Sequence, residues 1–301
     1  MGWTKRHGIM LCQPLDDRNL SRNFQSFPKM LAQPKLDGMR CWVSWEDGEP
    51  TLWSSEGNIF HSVPHIELAL KELLPISGPL QFDGELYTHN LPFEKIVSIG
   101  KRKETNLHDD CWDLCYHIFD YKSREPQADR YLTLSRLKSQ WELEASPQCL
   151  SVLQWVPTFV IQRNEVESYL DRFVEQGYEG IILRNPIAPY VEKRPWTMLK
   201  WKPSKKDWYQ IVAFGEAISE DGIPLGRLGF LTCRDRYGNE FNVGPGLGIS
   251  HEKARELWQA GLSIIGKYAE VYYQNLTKTG VPRFGKFSLI VDATNISGES
   301  H

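Results

Sequence analysis

Lys35 has the surroundings expected of a nucleophile. It lies in the run Lys35-Leu36-Asp37-Gly38-Met39-Arg40, where a glycine turn follows a strand-like segment. A lysine beside such a turn can present its amine to a substrate, with Asp37 and Arg40 flanking it. The amine must be neutral to attack, and because lysine has a reference pKa of about 10.4, its deprotonation at pH 7 costs about 4.6 kcal/mol. Cations close to the amine would lower that cost.

Four more motifs follow this lysine, and their order carries more information than any one of them. A run of the form Lys-x-Asp-Gly arises often by chance, so alone it would indicate an exposed turn lysine. The later motifs are Phe82-Asp83-Gly84-Glu85-Leu86-Tyr87, Ile118-Phe119-Asp120-Tyr121, Glu179-Gly180-Ile181-Ile182-Leu183-Arg184 and Met198-Leu199-Lys200-Trp201-Lys202-Pro203. With the five motifs in this order, the sequence resembles the covalent nucleotidyltransferases, and among them it is most similar to the ATP-dependent DNA ligases. The resemblance covers nearly the whole chain.

The resemblance implies that Lys35 attacks ATP and carries AMP as a covalent intermediate. The residues that it identifies as catalytic are Lys35, Asp37, Arg40, Lys200 and Lys202. Lys200, Lys202 and a bound Mg²⁺, for which Mn²⁺ could substitute, are expected near Lys35. There they would disfavour the charged amine and neutralise the α-phosphate in its transition state.

The resemblance also implies where the nucleotide and the metal bind. Glu179 is the candidate metal ligand, and Glu85 is the candidate partner of the ribose hydroxyl or of a second metal, because Mg²⁺ prefers carboxylate and phosphate oxygens. Phe119 is expected to stack against adenine. Gln33, two residues before Lys35, could read the adenine edge through its amide. Considered alone, each acid would more often be solvated surface, and the phenylalanine an ordinary core residue.

Phosphate contacts are expected from basic residues in both halves of the chain. Arg40 would touch the phosphates or the nick, since a guanidinium binds phosphate oxygens in pairs. A second arginine, which many DNA ligases carry soon afterwards, is absent, because this chain has Ser55 at that place. Residues 279–287 resemble the last ligase motif, in which Arg283 and Lys286 would orient the pyrophosphate of ATP.

The elements that must position these residues can be predicted from the pattern of apolar residues. Around Lys35, residues 30–45 predict a strand, a glycine turn and a second strand. The polar, proline-containing stretch after Trp201 suits a hinge, so we predict a first domain of residues 1–204. The same patterns predict helices over residues 65–74, 126–144 and 164–176, and strands over residues 79–87, 155–162 and 180–184.

The second domain, residues 205–301, is predicted to be a small β-barrel. Short strands are expected at residues 208–214, 228–234, 240–243 and 268–274, with Gly-rich turns and one helix over residues 251–260. The sequence around Gly226 and Gly244 is similar to the OB module of small DNA ligases. The resemblance implies an α+β fold, in which an ATP-grasp-like ligase adenylation (nucleotidyltransferase) domain of antiparallel sheets with flanking helices precedes a C-terminal OB-fold β-barrel.

Composition excludes few classes of partner. The 301 residues carry a net charge of -3, which neither supports nor excludes nucleic acid, so phosphate binding must come from local basic patches. No apolar run approaches the roughly 20 residues of a membrane span, and the apolar patch at residues 9–12 is too short for a signal peptide. Six scattered cysteines favour reduced thiols. We expect a soluble, cytoplasmic protein that does not bind membranes and acts as a monomer.

The predicted function is the ATP-dependent sealing of nicks between a 3′-hydroxyl and a 5′-phosphate in duplex DNA, through lysyl-AMP on Lys35 and a DNA-adenylate. An RNA ligase or an mRNA-capping guanylyltransferase would share the lysyl-nucleotide step and is the nearest alternative. A third hypothesis is a catalytically silent nick-binding protein. An intact set of candidate site residues argues against it: Lys35, Glu85, Glu179, Lys200 and Lys202.

Overall fold

The computed structural model of the chain describes residues 8–203, 205–219, 221–246, 249–273, 276–277, 279–282 and 285–295. Within these ranges the chain divides into two compact units, residues 8–202 and residues 203–295. Each unit has a hydrophobic core of its own. No helix in the described ranges has both the length and the apolar character needed to cross a membrane. The six cysteines, which all lie in these ranges, are free thiols.

The first unit consists of ten strands and six α-helices in its described part. The strands are β1 (Gln13–Pro14), β2 (Met30–Lys35), β3 (Met39–Glu46), β4 (Glu49–Ser54), β5 (Phe82–Tyr87), β6 (Cys115–Tyr121), β7 (Leu153–Trp155), β8 (Phe159–Ile161), β9 (Gly180–Arg184) and β10 (Met198–Trp201). The helices are α1 (Asp17–Ser26), α2 (Pro64–Ser77), α3 (Phe93–Gly100), α4 (Gln127–Glu144), α5 (Pro147–Leu150) and α6 (Val166–Glu175).

These strands form two five-stranded sheets that are largely antiparallel. One sheet has the order β1-β10-β9-β2-β8, and the other has the order β4-β3-β5-β6-β7. The pairs β1–β10 and β6–β7 are parallel, and the remaining pairs are antiparallel. Because β2 lies in the first sheet and β3 in the second, the turn between them carries the chain from one sheet to the other. That turn holds the Lys35 motif.

Helices with one apolar face cover the sheets, as the sequence pattern predicted. Helix α2 buries Ile66, Leu70 and Leu73, which recur at helical spacing on one side. Helix α6 buries its own stripe, which includes Leu170 and Phe173. Both helices therefore sit where a 3.6-residue repeat of apolar side chains predicts them.

The predicted strand over residues 155–162 is wrong as a single element. In the structure β7 ends at Trp155 in one sheet, and β8 begins at Phe159 in the other. Pro157 lies between them and has no backbone N–H to donate to a sheet, so the strand cannot run through. Helices α1, α3 and α5 were also not predicted.

The second unit is a closed five-stranded barrel, which confirms the predicted OB-like domain. Three of its strands extend beyond their predicted residues, and the strand over residues 286–291, which closes the barrel, was not predicted. The elements are β11 (Lys205–Ile218), β12 (Pro224–Arg234), β13 (Glu240–Pro245), α7 (His251–Ala260), β14 (Tyr268–Tyr273) and β15 (Lys286–Val291). The strands follow one another around the barrel in the order β11-β12-β13-β15-β14.

Candidate active site

Lys35 is the last residue of β2, and its side chain emerges where the strand leaves the core. The five residues before it are buried, whereas the Lys35 side chain is 20% exposed. The following turn passes directly against β5 at Gly38, where a Cβ would overlap the carbonyl oxygen of Leu86 and lie 2.8 Å from Glu85 Cγ. Glycine is therefore needed for this close approach, which brings the Lys35 motif next to the Glu85 motif.

Glu179 joins Lys35 to Lys202. One carboxylate oxygen of Glu179 contacts Lys35 Nζ, the other contacts Lys202 Nζ, and the Glu179 side chain is only 6% exposed. The backbones of Glu179 and Lys35 are also hydrogen-bonded, because the Glu179 N–H donates to the Lys35 carbonyl at 2.9 Å. Gly180 pairs with Lys35 between β2 and β9, and a Cβ on it would overlap the carbonyl oxygen of Trp201. The ends of three neighbouring strands thus bring one carboxylate and two amines together.

Lys200 and Asp37 lie on elements that adjoin this cluster. Lys200 is on β10, where it pairs with Ile182 of β9. Asp37 lies in the turn between β2 and β3, and its charge acts on Glu85. A catalytic role for either residue stays a prediction.

Glu85 carries a half-buried carboxyl group on β5, and its backbone lies opposite Arg40 of β3 in the sheet. Burial raises the pKa of Glu85 to about 7, although the charges of Lys35 and Arg40 act in the opposite direction. Asp83 and Asp37 raise the pKa further. Glu85 is therefore electrostatically coupled to Lys35, and near neutral pH it changes between its protonated and ionised forms. A cation that binds this carboxylate would displace a proton from part of the population.

Arg40 is held by Asp83. Its Nε and Nη2 each donate to one carboxylate oxygen of Asp83 at 2.6 Å, and Nη2 also donates to the Met10 carbonyl at 3.0 Å. Asp83 is fully buried and accepts a further hydrogen bond from the Tyr190 hydroxyl at 2.6 Å. This bidentate pair fixes the guanidinium against β5. The phosphate contact expected of Arg40 stays a prediction.

Phe119 and Gln33 lie side by side next to two guanidinium groups. The Phe119 ring centroid is 4.6 Å from Arg40 Cζ and 5.1 Å from Arg184 Cζ. The buried amide nitrogen of Gln33 donates to the Phe119 carbonyl at 3.1 Å and to Thr158 Oγ1 at 2.9 Å, and its amide oxygen accepts from Arg184 Nε at 2.7 Å. The Gln33 amide is thus engaged within the protein. The adenine-binding roles of both residues stay predictions.

A buried ionic network supports these two residues, and the sequence analysis did not anticipate it. Asp120 accepts hydrogen bonds from Arg130 at 2.8 and 3.1 Å and from Arg184 at 2.8 Å. All three side chains are at most 2% exposed. The available signal was a charge within a largely apolar strand, as at Asp120 and Arg184, because a buried charge requires a partner.

The predicted metal site has carboxylates but no complete set of protein ligands. Among the described residues, no three His, Cys, Asp or Glu side chains form a group that could hold a metal ion. Mg²⁺ commonly takes only one or two protein carboxylates and completes its shell with phosphates and water. The two acids coupled to Lys35, Glu179 and Glu85, fit that kind of site. Arg283, predicted to bind pyrophosphate, lies outside the described residues, and Lys286 is exposed at the start of β15.

Two family models match the chain in the regions of its two units. One, described as an ATP dependent DNA ligase domain, matches residues 9–202, and the other, described as a DNA ligase OB-like domain, matches residues 222–290. Together they define a two-domain ligase. The chain belongs to the family of ATP-dependent DNA ligases and is therefore a ligase enzyme.

Individual relatives agree with this family. A DNA ligase of Haemophilus influenzae is 27% identical over 210 residues, which are 69% of this chain and 71% of that ligase. A DNA ligase of African swine fever virus is 28% identical over 174 residues, 56% of this chain but only 39% of the viral enzyme. The chain thus spans much less than the full length of the viral relative.

Solved structures share the fold across almost the entire chain. The structure titled "DNA binding with a minimal scaffold: Structure-function analysis of Lig E DNA ligases" has a TM-score of 0.70 at 22% identity and covers 94% of this chain and 99% of that one. The ATP-dependent DNA ligase of bacteriophage T7 in complex with ATP has a TM-score of 0.56 at 14% identity, covering 96% and 99%. At these identities the likeness shows the fold alone.

Proposed function

We propose that this protein seals nicks between a 3′-hydroxyl and a 5′-phosphate in duplex DNA, with AMP carried on Lys35. The observation that carries this proposal is the Lys35–Glu179–Lys202 cluster, because it holds an amine at a strand end beside a second cation and a carboxylate. A site that forms a bond from nitrogen to an anionic phosphate needs a positioned amine and positive charge to balance the phosphate.

The reaction proceeds in three steps. The Lys35 amine attacks the α-phosphorus of ATP, a P–N bond forms, the amine loses a proton and pyrophosphate leaves. An oxygen of the 5′-phosphate at the nick then attacks the same phosphorus and the P–N bond breaks. The Lys35 nitrogen keeps the bonding electrons and takes up a proton, and DNA-adenylate forms. Finally the 3′-hydroxyl attacks the 5′-phosphate, AMP leaves with the bonding electrons, and the hydroxyl proton is lost.

Several side chains support these steps in the proposal. Lys202 and Lys200 balance negative charge on the α-phosphate, and Asp37 and Arg40 flank the nucleophile. Glu179 and Glu85 would hold Mg²⁺, or Mn²⁺ in its place, and the ion would act as a Lewis acid on the phosphate oxygens. The remaining contacts to ATP come from Phe119 and Gln33 at the adenine and from Arg283 at the pyrophosphate.

The two domains have different roles in this reaction. We assign residues 1–204 to adenylation and residues 205–301 to an OB domain that helps to bind nicked duplex DNA. The enzyme acts as a monomer, and because its six cysteines are free thiols we propose that it works in the reducing cytoplasm. Two basic residues of the barrel strands form ion pairs, because Lys206 contacts Glu270 and Arg234 contacts Glu240.

Labelling with α-phosphate-labelled nucleotides tests the covalent step. The purified protein is incubated with labelled ATP or GTP and a divalent cation, then denatured, and label that stays on the protein is counted. We expect label from ATP and none from GTP. Retention of label from GTP would instead support a capping-type enzyme, and absence of label from both would remove the lysyl-nucleotide proposal.

A panel of nicked substrates tests the sealing step. The panel contains nicked duplex DNA, the same duplex with RNA on either side of the nick, and single-stranded RNA. We expect the fastest joining on the all-DNA nick. Preferential joining of RNA ends would favour an RNA ligase over the proposed activity.

A further inference from the structure

A groove of about 590 Å³ is lined in part by the Lys35 motif, and it also holds three basic residues that have no role in the steps described above. It is lined by residues 38–40 where β3 begins, and by Ser55 and Glu56 in the turn after β4. It is also lined by the exposed run Lys101-Arg102-Lys103, which follows α3. The groove therefore begins three residues from the proposed nucleophile.

The charge that lines this groove is predominantly positive. The side chains of Lys101, Arg102 and Lys103 have no hydrogen-bond or ion-pair partner within the part of the chain that the structure describes. Glu56 contributes one opposing carboxylate, and the charge of Arg40 is balanced by Asp83. Three unpaired cations opposite one acid make this a groove suited to an anion.

The end of α3 that carries these cations is packed firmly beside the Lys35 motif. Gly100, the last residue of α3, lies so close to Met39 that a Cβ would overlap the Met39 sulfur. The Ser62 hydroxyl donates to the Gly100 carbonyl at 3.3 Å, and the Arg102 N–H donates to the Ile99 carbonyl at 3.0 Å. The backbone that presents the cations is thus held next to Arg40, and the cations themselves remain open to a ligand.

We propose that this groove binds the terminal 5′-phosphate at the nick, with Lys101, Arg102 and Lys103 supplying the positive charge. The inference rests on the proposed function, in which that phosphate must reach AMP on Lys35. A terminal phosphate carries more negative charge than an internal phosphodiester, so a dense group of cations distinguishes the two. Ser55, which also lines the groove, is a neutral hydroxyl residue that is 8% exposed, so the run after α3 supplies the charge that the β4 turn lacks.

Binding of two nicked duplexes tests this inference without ATP. One duplex has a 5′-phosphate at the nick, the other a 5′-hydroxyl, and the Kd of each is measured at a fixed salt concentration. We expect the wild-type protein to prefer the 5′-phosphate by about tenfold or more. The triple variant K101Q/R102Q/K103Q should lose that preference, and the conservative variant K101R/K103R should retain it.

A matched control separates the groove from general charge effects. The triple variant K29Q/R124Q/R136Q removes three exposed cations that do not line the groove, and it should keep the preference for the 5′-phosphate. An equal loss of affinity for both duplexes in K101Q/R102Q/K103Q would show contact with internal phosphates and overturn the inference. Retention of the full preference in that variant would do the same. Failure of the proposed function is detected separately, by absence of AMP transfer from ATP to the wild-type protein.

Discussion

Glu179 and Lys35 are connected twice, through their backbones and through their side chains. The Glu179 N–H donates to the Lys35 carbonyl at 2.9 Å, and the Glu179 carboxylate contacts Lys35 Nζ. Both contacts follow from the antiparallel pairing of β2 with β9, in which Lys35 faces Gly180. The position of the amine is therefore set by the sheet itself, and the same carboxylate also contacts Lys202.

Replacement of Glu179 by glutamine should slow transfer of AMP to the protein by about 100-fold, because a displaced nucleophile loses its alignment for attack. The variant keeps the shape of the side chain and removes the charge that contacts Lys35 and Lys202. The measurement is the initial rate of label incorporation from ATP. Glu175→Gln, which neutralises an exposed acid at the end of α6, should react at the wild-type rate. An unchanged rate for Glu179→Gln would contradict the role given to this carboxylate.

Removal of the Arg40 guanidinium should destabilise the first unit. In Arg40→Ala the fully buried Asp83 carboxyl group loses its bidentate partner, which costs about 3–5 kcal/mol of unfolding free energy. The measurement is urea unfolding followed by tryptophan fluorescence. The double variant R40A/D83N should recover part of the loss, because the unpaired charge is then absent. If Arg40→Ala lost activity with no loss of stability, Arg40 would act mainly on the substrate.

The Glu85 carboxyl should make stability fall with rising pH. Its folded pKa of about 7 exceeds the ordinary value of 4.5, so the folded protein holds an extra proton between these two values. The contribution of Glu85 to the free energy of unfolding is therefore fully present below about pH 4.5, and it is lost as the pH rises through 7. Relative to Glu85→Gln, the wild-type protein should lose up to about 3 kcal/mol between pH 5 and pH 8. A pH-independent difference between the two proteins in urea unfolding would contradict this.

A methyl group at Gly38 should separate the Lys35 turn from β5. In Gly38→Ala the added Cβ overlaps the Leu86 carbonyl oxygen, which is backbone and cannot rotate away. We expect a loss of about 1–3 kcal/mol in unfolding free energy and slower transfer of AMP to the protein. The control is Gly222→Asn, at a turn with open space around the glycine and a left-handed backbone that asparagine tolerates. Wild-type stability and rate in Gly38→Ala would show that the turn can shift.

Much of the fold was predictable because its periodic elements are local. Strand β9 coincides with the predicted residues 180–184, since a short apolar run is bounded there by a glycine and an arginine. Helix α1 was not predicted because few apolar residues mark it, although Asp16 caps it by accepting from the Asn19 N–H at 2.6 Å. Pro157 was the signal that could have divided the predicted strand over residues 155–162.

The sequence predicted which residues form the site better than it predicted the contacts between them. The order of motifs identified Lys35, Glu179 and Lys202, which the structure brings together. The pairing of Arg40 with Asp83 depends on how β3 and β5 align, and such a long-range register is not encoded in either motif alone. The cations of the 101–103 run escaped notice for a related reason, because only packing of α3 against β3 brings them beside the Lys35 motif.

The most direct test of the central claim is to locate the AMP. Wild-type protein and Lys35→Arg are incubated with ATP and a divalent cation, and each is measured by intact-mass and peptide mass spectrometry. We predict one AMP per wild-type chain, attached to Lys35 through a P–N bond, and none on Lys35→Arg. An AMP on another residue, or undiminished AMP on Lys35→Arg, would contradict the account.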